Sequence, residues 1–276
     1  MQFDLLITNG TVFDGSGSNG FAADVGVIGD RIVAVGDLAG AQAARTIDAR
    51  NLAVCPGFVD PHTHCHTDVD NDIMHCDNLL RQGITTVVAG NCGGSGWPVG
   101  EHLDKVDREG FKSNYAMLVG HHTIRRIAMA GNGNLYPDHE QTTAMQDMVR
   151  QGLKEGAFGI TVGYAGRHET FQEIVDITRP AAEADTIYAS HIRSEAEGLL
   201  QAIGEIIEVS QETGIRVQVS HLKAMGPANW DKLDIVLAML EDAARRGIDI
   251  AADRYPYIGW HGGSTNVMPR WCYEEA

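Results

Sequence analysis

Short apolar segments that alternate with amphipathic segments constrain the fold of this chain more than any other feature of its sequence. Each apolar segment has the length of a buried strand, and each amphipathic segment has the spacing of a helix that buries one face. Near-continuous apolar strands separated by helices predict a parallel sheet that is covered on both faces. The candidate strands are residues 53–60, 85–90, 115–120, 156–163, 186–191, 216–221 and 249–253. The clearest helical segments are residues 142–155, 195–213 and 230–247.

This order of elements predicts an α/β fold, a TIM-barrel-type (β/α)8 barrel with its active site at the carboxyl ends of the strands. A doubly wound open sheet is the alternative, but no G-x-G-x-x-G motif follows a candidate strand. The candidate strands provide one strand fewer than a closed barrel needs. We therefore expect residues 54–276 to form a barrel that lacks its last strand and is incomplete at the C-terminus.

The first 53 residues follow a different pattern. Their β-prone segments, 4–12, 23–28 and 31–36, are separated by Asn-Gly and Gly-Asp turn signals. This pattern predicts an antiparallel meander. We expect residues 1–53 to form a small β-rich domain of β-sandwich type, which needs further strands or a partner surface for stability.

The composition excludes several classes of function. A formal net charge of -16 disfavours a nucleic-acid partner, because a phosphate backbone attracts basic surfaces. No apolar run approaches the length of a membrane span, and the N-terminus lacks the basic region of a signal peptide. We expect a cytoplasmic protein with neither a membrane nor a nucleic-acid partner. An odd number of cysteines without a C-x-x-C pair fits that reducing compartment: Cys55, Cys65, Cys76, Cys92 and Cys272.

Potential metal ligands follow the candidate strands. His62 and His64 end the first strand, where residues i and i+2 point to the same face. Cys92 follows the second strand, His191 ends the fifth, and His221 ends the sixth. On a barrel these side chains converge at one mouth, and a mixed set of nitrogen and sulfur ligands suits zinc. Each alone could be an ordinary buried residue, but their equivalent positions predict a metal site.

Several of these residues lie within longer motifs. The motifs are Pro56-Gly57-Phe58-Val59-Asp60-Pro61-His62-Thr63-His64, Gly90-Asn91-Cys92-Gly93, Gly156-Ala157-Phe158-Gly159, His191-Ile192-Arg193-Ser194-Glu195, Ser220-His221-Leu222-Lys223 and Asp253-Arg254-Tyr255-Pro256-Tyr257. With these motifs the sequence resembles the amidohydrolase superfamily and, within it, the D-aminoacylases (N-acyl-D-amino-acid deacylases). The likeness extends over essentially the whole chain. The first motif is shared widely in the superfamily, whereas the cysteine motif with the later His and Lys motifs is much narrower.

The resemblance implies a zinc-dependent hydrolase of a linear amide bond, which converts an N-acyl-D-amino acid to a D-amino acid and a carboxylate. It places one tightly bound zinc on Cys92, His191 and His221, and it places a weaker second metal position at His62 and His64. A water activated by the metal would attack the amide carbonyl. The expected partner is therefore a small N-acyl amino acid.

The resemblance also implies which residues bind the substrate. Lys223 would supply a positive charge for the substrate carboxylate, and Tyr255 and Ser264 would donate hydrogen bonds. Arg193 is a further candidate, because a guanidinium binds a carboxylate with two hydrogen bonds. The segments 160–167 and 258–262 depart from the family pattern, and both are expected to shape the side-chain pocket.

A further departure concerns the general acid/base. In this family an Asp on an eighth strand has that role, so it is expected beyond Ala276 and no catalytic residue is assigned within the chain. We therefore predict weak or absent hydrolysis by residues 1–276 alone. Three explanations remain open: the chain is a fragment, self-association or a second chain completes the barrel, or the fold closes in an unusual way.

Two alternatives remain open. A cyclic-amide hydrolase, such as a hydantoinase or dihydroorotase, usually bridges two metals with a carboxylated lysine on the fourth strand, but residues 159–162 contain no lysine. A non-catalytic metal-binding scaffold subunit is the second alternative, because the acid/base Asp has no counterpart.

Overall fold

The computed structural model describes residues 2–71, 76–131, 135–164 and 168–259. These residues divide into two compact units. The first unit contains the described residues of Met1–Val59 and Arg81–Thr85, and the second contains those of Asp60–Leu80 and Thr86–Ala276.

The first unit is a sheet built around one long central strand. Its strands are β1 (Gln2–Val12), β2 (Phe21–Ile28), β3 (Arg31–Gly36), β4 (Gln42–Asp48) and β5 (Ala53–Val54). The order is β3-β2-β1-β4, and β5 also pairs with β1. Strands β1, β2 and β3 form an antiparallel meander, whereas β4 and β5 run parallel to β1. The sequence pattern did not predict β4, because its residues show no apolar alternation and none of them is buried.

Two further sheets contain the remaining strands in chain order. The strands are β6 (Phe58–Asp60), β7 (Ile84–Ala89), β8 (Asn114–Met117), β9 (Val119–Gly120), β10 (Gly159–Gly163), β11 (Ile187–His191), β12 (Arg216–Val219) and β13 (Ile250–Ala252). One sheet has the order β6-β7-β8, and the other has the order β13-β12-β11-β10-β9. The pairings from β9 to β13 and between β7 and β8 are parallel. Their carboxyl ends therefore lie at the same edge of each sheet.

Helices connect these parallel strands. They are α1 (Cys65–Asp70), α2 (Asp77–Leu80), α3 (Val99–Glu109), α4 (His121–Ala128), α5 (His139–Lys154), α6 (Phe171–Glu183), α7 (Leu199–Thr213) and α8 (Lys232–Arg245). Local signals set their ends: Asp138 and Gln141 form a capping box at the start of α5, and Gly214 ends α7 with a φ of 75°. Among the described helices, none combines the length and the apolar character that a membrane span requires.

The core lies between the parallel strands and their helices. All five residues of β10 are buried, as expected for a strand with both faces covered. Ile160 and Tyr188 on the strands belong to one apolar cluster with Ile174 of α6 and Ile203 of α7. This packing fixes the strand ends from which the candidate ligands project.

The predicted strand over residues 53–60 is wrong, because the structure divides it into β5 and β6. β5 pairs with β1, and β6 neighbours β7. Cys55, Pro56 and Gly57 separate the two strands. Proline has no backbone N–H and cannot continue a hydrogen-bonded ladder, so the apolar run contains a break that its hydropathy does not show.

Candidate metal centre

The sequence argument assumed that His62 and His64 continue a strand, where residues i and i+2 point to the same face. In the structure both lie beyond the end of β6. β6 ends at Asp60, and His64 caps the N-terminus of α1. The two imidazole rings are nevertheless neighbours, with centroids 5.6 Å apart. The loop therefore brings the two side chains together by a different route from the predicted one.

Hydrogen bonds to β7 hold this loop in place. The backbone N–H of Thr63 donates to the carbonyl of Val88 at 3.0 Å. The buried amide of Asn91 donates to the carbonyls of Val88, Thr63 and Pro61, at 2.9, 3.3 and 3.4 Å. Asn91 precedes Cys92 directly, so one side chain connects the histidine loop to the cysteine loop.

Cys92, His191 and His221 come together at the ends of three strands. The Nε2 atom of His221 lies 3.5 Å from the Cys92 Sγ and 3.0 Å from the His191 Nδ1. The Nε2 atom of His62 lies 3.4 Å from the same sulfur. Cys92 therefore belongs to two groups of potential ligands, one with His191 and His221 and one with His62 and His64.

The backbone at two of these residues adopts a left-handed conformation. The φ angle is 53° at Cys92 and 39° at His221. Residues with a side chain rarely adopt such angles, and they do so mostly where the surrounding structure imposes them at functional sites. The backbone is thus locally strained at Cys92 and His221, in the conformation that points this thiol and this imidazole toward each other.

The spacing of the donor atoms fits zinc. With Zn–S of about 2.3 Å and Zn–N of about 2.0–2.1 Å, a tetrahedral ion separates sulfur from nitrogen by roughly 3.6 Å and two nitrogens by roughly 3.3 Å. The measured separations around Cys92, 3.4 and 3.5 Å, and the separation of 3.0 Å between His191 and His221 lie close to these values. One thiolate with imidazoles is also a common zinc donor set.

Electrostatics favour the ionised form of the Cys92 thiol within the cluster. Burial alone would raise the pKa of the Cys92 thiol, but hydrogen bonds from His191, His221 and His62 outweigh burial and lower that pKa to about 2. Burial alone would lower the pKa of His62, but Asp253 and Cys92 outweigh it and raise that pKa to about 9. Cys92 is therefore a thiolate at neutral pH, the form that binds metals.

Glu195 orients His221, and the sequence pattern did not identify this role. Its Oε1 lies 2.6 Å from the His221 Nδ1, and both side chains are nearly buried. A histidine that donates Nδ1–H to a carboxylate presents the lone pair of Nε2 to a metal. Glu195 also accepts a hydrogen bond from Lys223. The only sequence signal was its position four residues after His191.

Asp253, directly after β13, makes a longer contact with His62 that does not meet hydrogen-bond geometry. Its Oδ1 lies 3.4 Å from the His62 Nδ1 and accepts the backbone N–H of His221 at 2.7 Å. Its other oxygen accepts the amide of Gln218 at 2.8 Å. Asp253 thus connects the two histidine groups, a role that its motif alone did not suggest.

The predicted substrate-binding residues have different surroundings. Lys223 contacts Glu195 and the carbonyl of His221, and its Nζ lies 5.5 Å from the centroid of the Tyr255 ring. Arg193 donates two hydrogen bonds to Glu205, at 2.7 and 2.8 Å. The Glu205 carboxylate therefore already occupies N–H groups of the Arg193 guanidinium that a substrate carboxylate would need. Ser264 lies outside the described residues.

Replacing Glu195 by alanine is expected to weaken zinc binding about 10- to 100-fold, the usual cost of removing a carboxylate that orients a histidine ligand. Dialysis of the variant against zinc of known free concentration, followed by metal analysis, measures the change. Glu208→Gln is the matched control, because Glu208 is exposed on α7. Equal zinc affinities of Glu195→Ala and the parent would show that Glu195 does not position His221.

Comparison with known proteins agrees with the family resemblance of the sequence motifs. The sequence profile of the Amidohydrolase family matches residues 45–256. A D-aminoacylase of Alcaligenes xylosoxydans xylosoxydans is 35% identical over an alignment 292 residues long. The alignment covers 95% of this chain and 58% of that protein. This chain therefore spans less than two thirds of the length of its relative.

Two solved structures are also similar. The N-acyl-D-glutamate deacylase of Bordetella bronchiseptica was solved with zinc and a phosphonate inhibitor that mimics the tetrahedral intermediate of its reaction. It matches with a TM-score of 0.87 and 34% identity, covering 93% of this chain and 59% of that one. A D-aminoacylase studied for its binuclear metal centre, described as activated by one metal and attenuated by a second, matches with a TM-score of 0.85, 34% identity and the same coverage.

Proposed function

Because the chain belongs to the amidohydrolase family, we propose that it acts in the zinc-dependent hydrolysis of N-acyl-D-amino acids to D-amino acids and carboxylates. The observation that carries this proposal is the cluster of Cys92, His191 and His221 at strand ends, with donor separations that suit zinc. Relatives that share about a third of the sequence and most of the fold are a D-aminoacylase and an N-acyl-D-glutamate deacylase.

In this proposal Cys92, His191 and His221 hold the tight zinc, and His62 and His64 contribute to a weaker position that shares Cys92. When bound, zinc in such a centre lowers the pKa of a coordinated water toward neutrality and polarises the carbonyl oxygen of an amide. Glu195 and Asp253 keep the imidazoles of His221 and His62 in the required orientation.

Lys223 is proposed to bind the substrate carboxylate. The short contact between His221 Nδ1 and Glu195 assigns the Nδ1 proton to that pair, so the nearby Lys223 ammonium has no acceptor at Nδ1. Lys223 therefore donates to Glu195 and to the carbonyl of His221 and keeps its third N–H for a ligand. Tyr255 is its neighbour and is proposed as a second donor. Arg193 is a weaker candidate, since Glu205 already engages it.

Further parts of the proposal concern fold and location. The chain-order parallel strands support a (β/α) barrel over residues 54–276, with residues 1–53 as a separate β-rich domain. The four described cysteines are free thiols, which supports a reducing, cytoplasmic location. Self-association or a second chain remains part of the proposal.

A cyclic-amide hydrolase is disfavoured by the structure of β10. Its residues, Gly159–Gly163, are all buried and include no lysine that could carry a bridging carboxylate. A non-catalytic scaffold subunit shares the metal centre and differs only in its lack of turnover.

Two measurements on the zinc-loaded chain test this function. Binding of an N-acetyl-D-amino acid, followed by calorimetry, is expected to be much tighter than binding of its L-enantiomer or of a hydantoin. Release of acetate from the D-compound by residues 1–276 would exclude the scaffold alternative. Equal binding of both enantiomers, or hydrolysis of the hydantoin alone, would contradict the proposal.

Replacing Lys223 by methionine is expected to weaken binding of the N-acetyl-D-amino acid about 10- to 100-fold, because a hydrogen bond to a charged group contributes about 1.5–3 kcal/mol. The same calorimetric titration measures this loss. Lys154→Met serves as control, since Lys154 is exposed at the end of α5. An unchanged affinity in Lys223→Met would remove Lys223 from the substrate site.

A further inference from the structure

A second group of potential metal ligands lies at the ends of β9 and β10. His121 and His122 begin α4, directly after β9, and Glu169 lies shortly before the start of α6. One ligand atom from each of these residues falls within 4.8 Å of the other two. This group shares no residue with the Cys92 centre, and none of its members was predicted as a ligand from the sequence.

Two members of this group, and the neighbouring Glu173, carry buried atoms without hydrogen-bond partners. Among the described residues, buried side-chain atoms that lack a partner include the His121 Nδ1, the Glu169 Oε2 and the Glu173 Oε2. His121 is fully buried, and Glu169 is only 4% exposed. An unpaired carboxylate oxygen and an unpaired imidazole nitrogen at such depth are costly unless something else satisfies them.

His121 has the support that a metal-binding histidine usually has. Its Nε2 lies 2.8 Å from the Glu173 Oε1, and the Arg125 Nε donates to the same oxygen at 2.7 Å. With its Nε2 proton held by Glu173, the Nδ1 of His121 carries the lone pair. A carboxylate on the far nitrogen of a histidine is the usual outer contact in zinc sites.

His122 and Glu169 complete the donor set. The His122 Nε2 lies 3.5 Å from the Glu169 Oε1, close to the roughly 3.3 Å between two ligand atoms on a tetrahedral zinc. Burial alone would raise the pKa of Glu169, but the hydrogen bond from His122 outweighs it and lowers that pKa to about 2, so Glu169 is a carboxylate. Two imidazoles with one carboxylate form a well-known zinc set that leaves one position for water.

We propose that His121, His122 and Glu169 bind a zinc ion at a site that shares no ligand with the Cys92 centre. An ion there would join the start of α4 to the segment that precedes α6. It would also fix the cysteine loop, because the backbone N–H of His122 donates to the Gly93 carbonyl at 2.9 Å. There is little free space at this contact: a Cβ on Gly93 would lie 2.7 Å from the His122 Nδ1. Through this contact the proposed zinc would support the residue next to Cys92.

Zinc content in a Cys92→Ala background tests this site independently of hydrolysis. After chelation, reloading with zinc and removal of weakly held metal, Cys92→Ala is expected to retain one equivalent of zinc. Adding Glu169→Gln, which keeps the shape and removes the charge, should reduce the content to none. Adding His139→Ala instead should leave it at one, since His139 is an exposed histidine on α5.

Cobalt provides a second readout. Cobalt bound through Cys92 gives a thiolate-to-metal charge-transfer band, whereas a site of two imidazoles and a carboxylate gives only the weaker visible bands of tetrahedral cobalt. Cys92→Ala loaded with Co²⁺ should therefore show the visible bands without charge transfer, and His122→Ala should remove them. Circular dichroism on each metal-free variant separates ligand loss from unfolding.

Two outcomes would overturn the proposal. One is a Cys92→Ala variant that binds no metal, and the other is a Glu169→Gln single variant that retains the parent zinc content.

Discussion

Replacing Cys92 by alanine is expected to remove one equivalent of tightly bound zinc from the protein. Among the described residues, the Cys92 thiolate is the potential ligand common to both histidine groups, so its loss leaves only imidazoles in each. If a binding free energy of ~10–16 kcal/mol is divided among four ligands, loss of one costs roughly 3 kcal/mol, about a hundredfold in Kd. Metal analysis after equilibration with a zinc buffer measures the loss.

The matched control for this prediction is another free thiol. Cys55 is exposed in the segment between β5 and β6 and belongs to none of the potential ligand groups among the described residues. Cys55→Ala should therefore keep the zinc content and affinity of the parent. If Cys92→Ala and Cys55→Ala bind zinc equally well, Cys92 is not a ligand.

Replacing Gly163 by alanine is expected to damage both the fold and the metal centre. A Cβ at this position would lie 2.3 Å from the carbonyl oxygen of Cys92 and 3.0 Å from its Cα, so the cysteine loop or the end of β10 has to move. Overpacking of a buried position typically costs about 1–3 kcal/mol of unfolding free energy. Because Cys92 itself is displaced, zinc affinity should fall together with stability.

Gly204 is the natural comparison for this experiment. It lies within α7, and a Cβ there would meet no atom within 4 Å. Gly204→Ala should raise the unfolding free energy by about 0.5–1 kcal/mol through helix propensity and leave zinc affinity unchanged. Chemical denaturation and zinc titration of both variants measure the two effects. A Gly163→Ala protein that keeps parent stability and zinc affinity would mean that the cysteine loop relaxes without cost.

The sequence predicted several of the parallel strands because their signal is local, but the predicted strand over residues 115–120 is divided between β8 and β9, which lie in different sheets. Apolar runs such as β10 and β11 are bounded by turns and need no knowledge of their neighbours. β4 escaped prediction because pairing with β1 stabilises it, not apolar alternation. Pro56 shows the opposite error, in which continuous hydropathy concealed a break between two strands.

At the site, the same distinction separates the candidate ligands from the residues that contact them. That Cys92, His191 and His221 come together could be predicted because they recur at equivalent strand ends. The contact of Glu195 with His221 joins residues 26 positions apart, and no spacing rule encodes it. Arg193 was predicted to bind a substrate, and Glu205, in the second turn of α7, pairs with its guanidinium, which the sequence pattern did not indicate. Side-chain partners across a fold depend on packing that a single sequence does not display.

Cys92 and His221 are 129 residues apart in the chain yet only 3.5 Å apart at the site. An ion held by both closes a very long loop, and unfolding has to release that ion, because the denatured chain rarely brings such distant ligands together. Zinc binding therefore shifts the folding equilibrium toward the native state by mass action. The unfolding free energy rises by about 4 kcal/mol when free zinc exceeds Kd a thousandfold. The resistance of this protein to denaturation is consequently set in part by the zinc concentration around it.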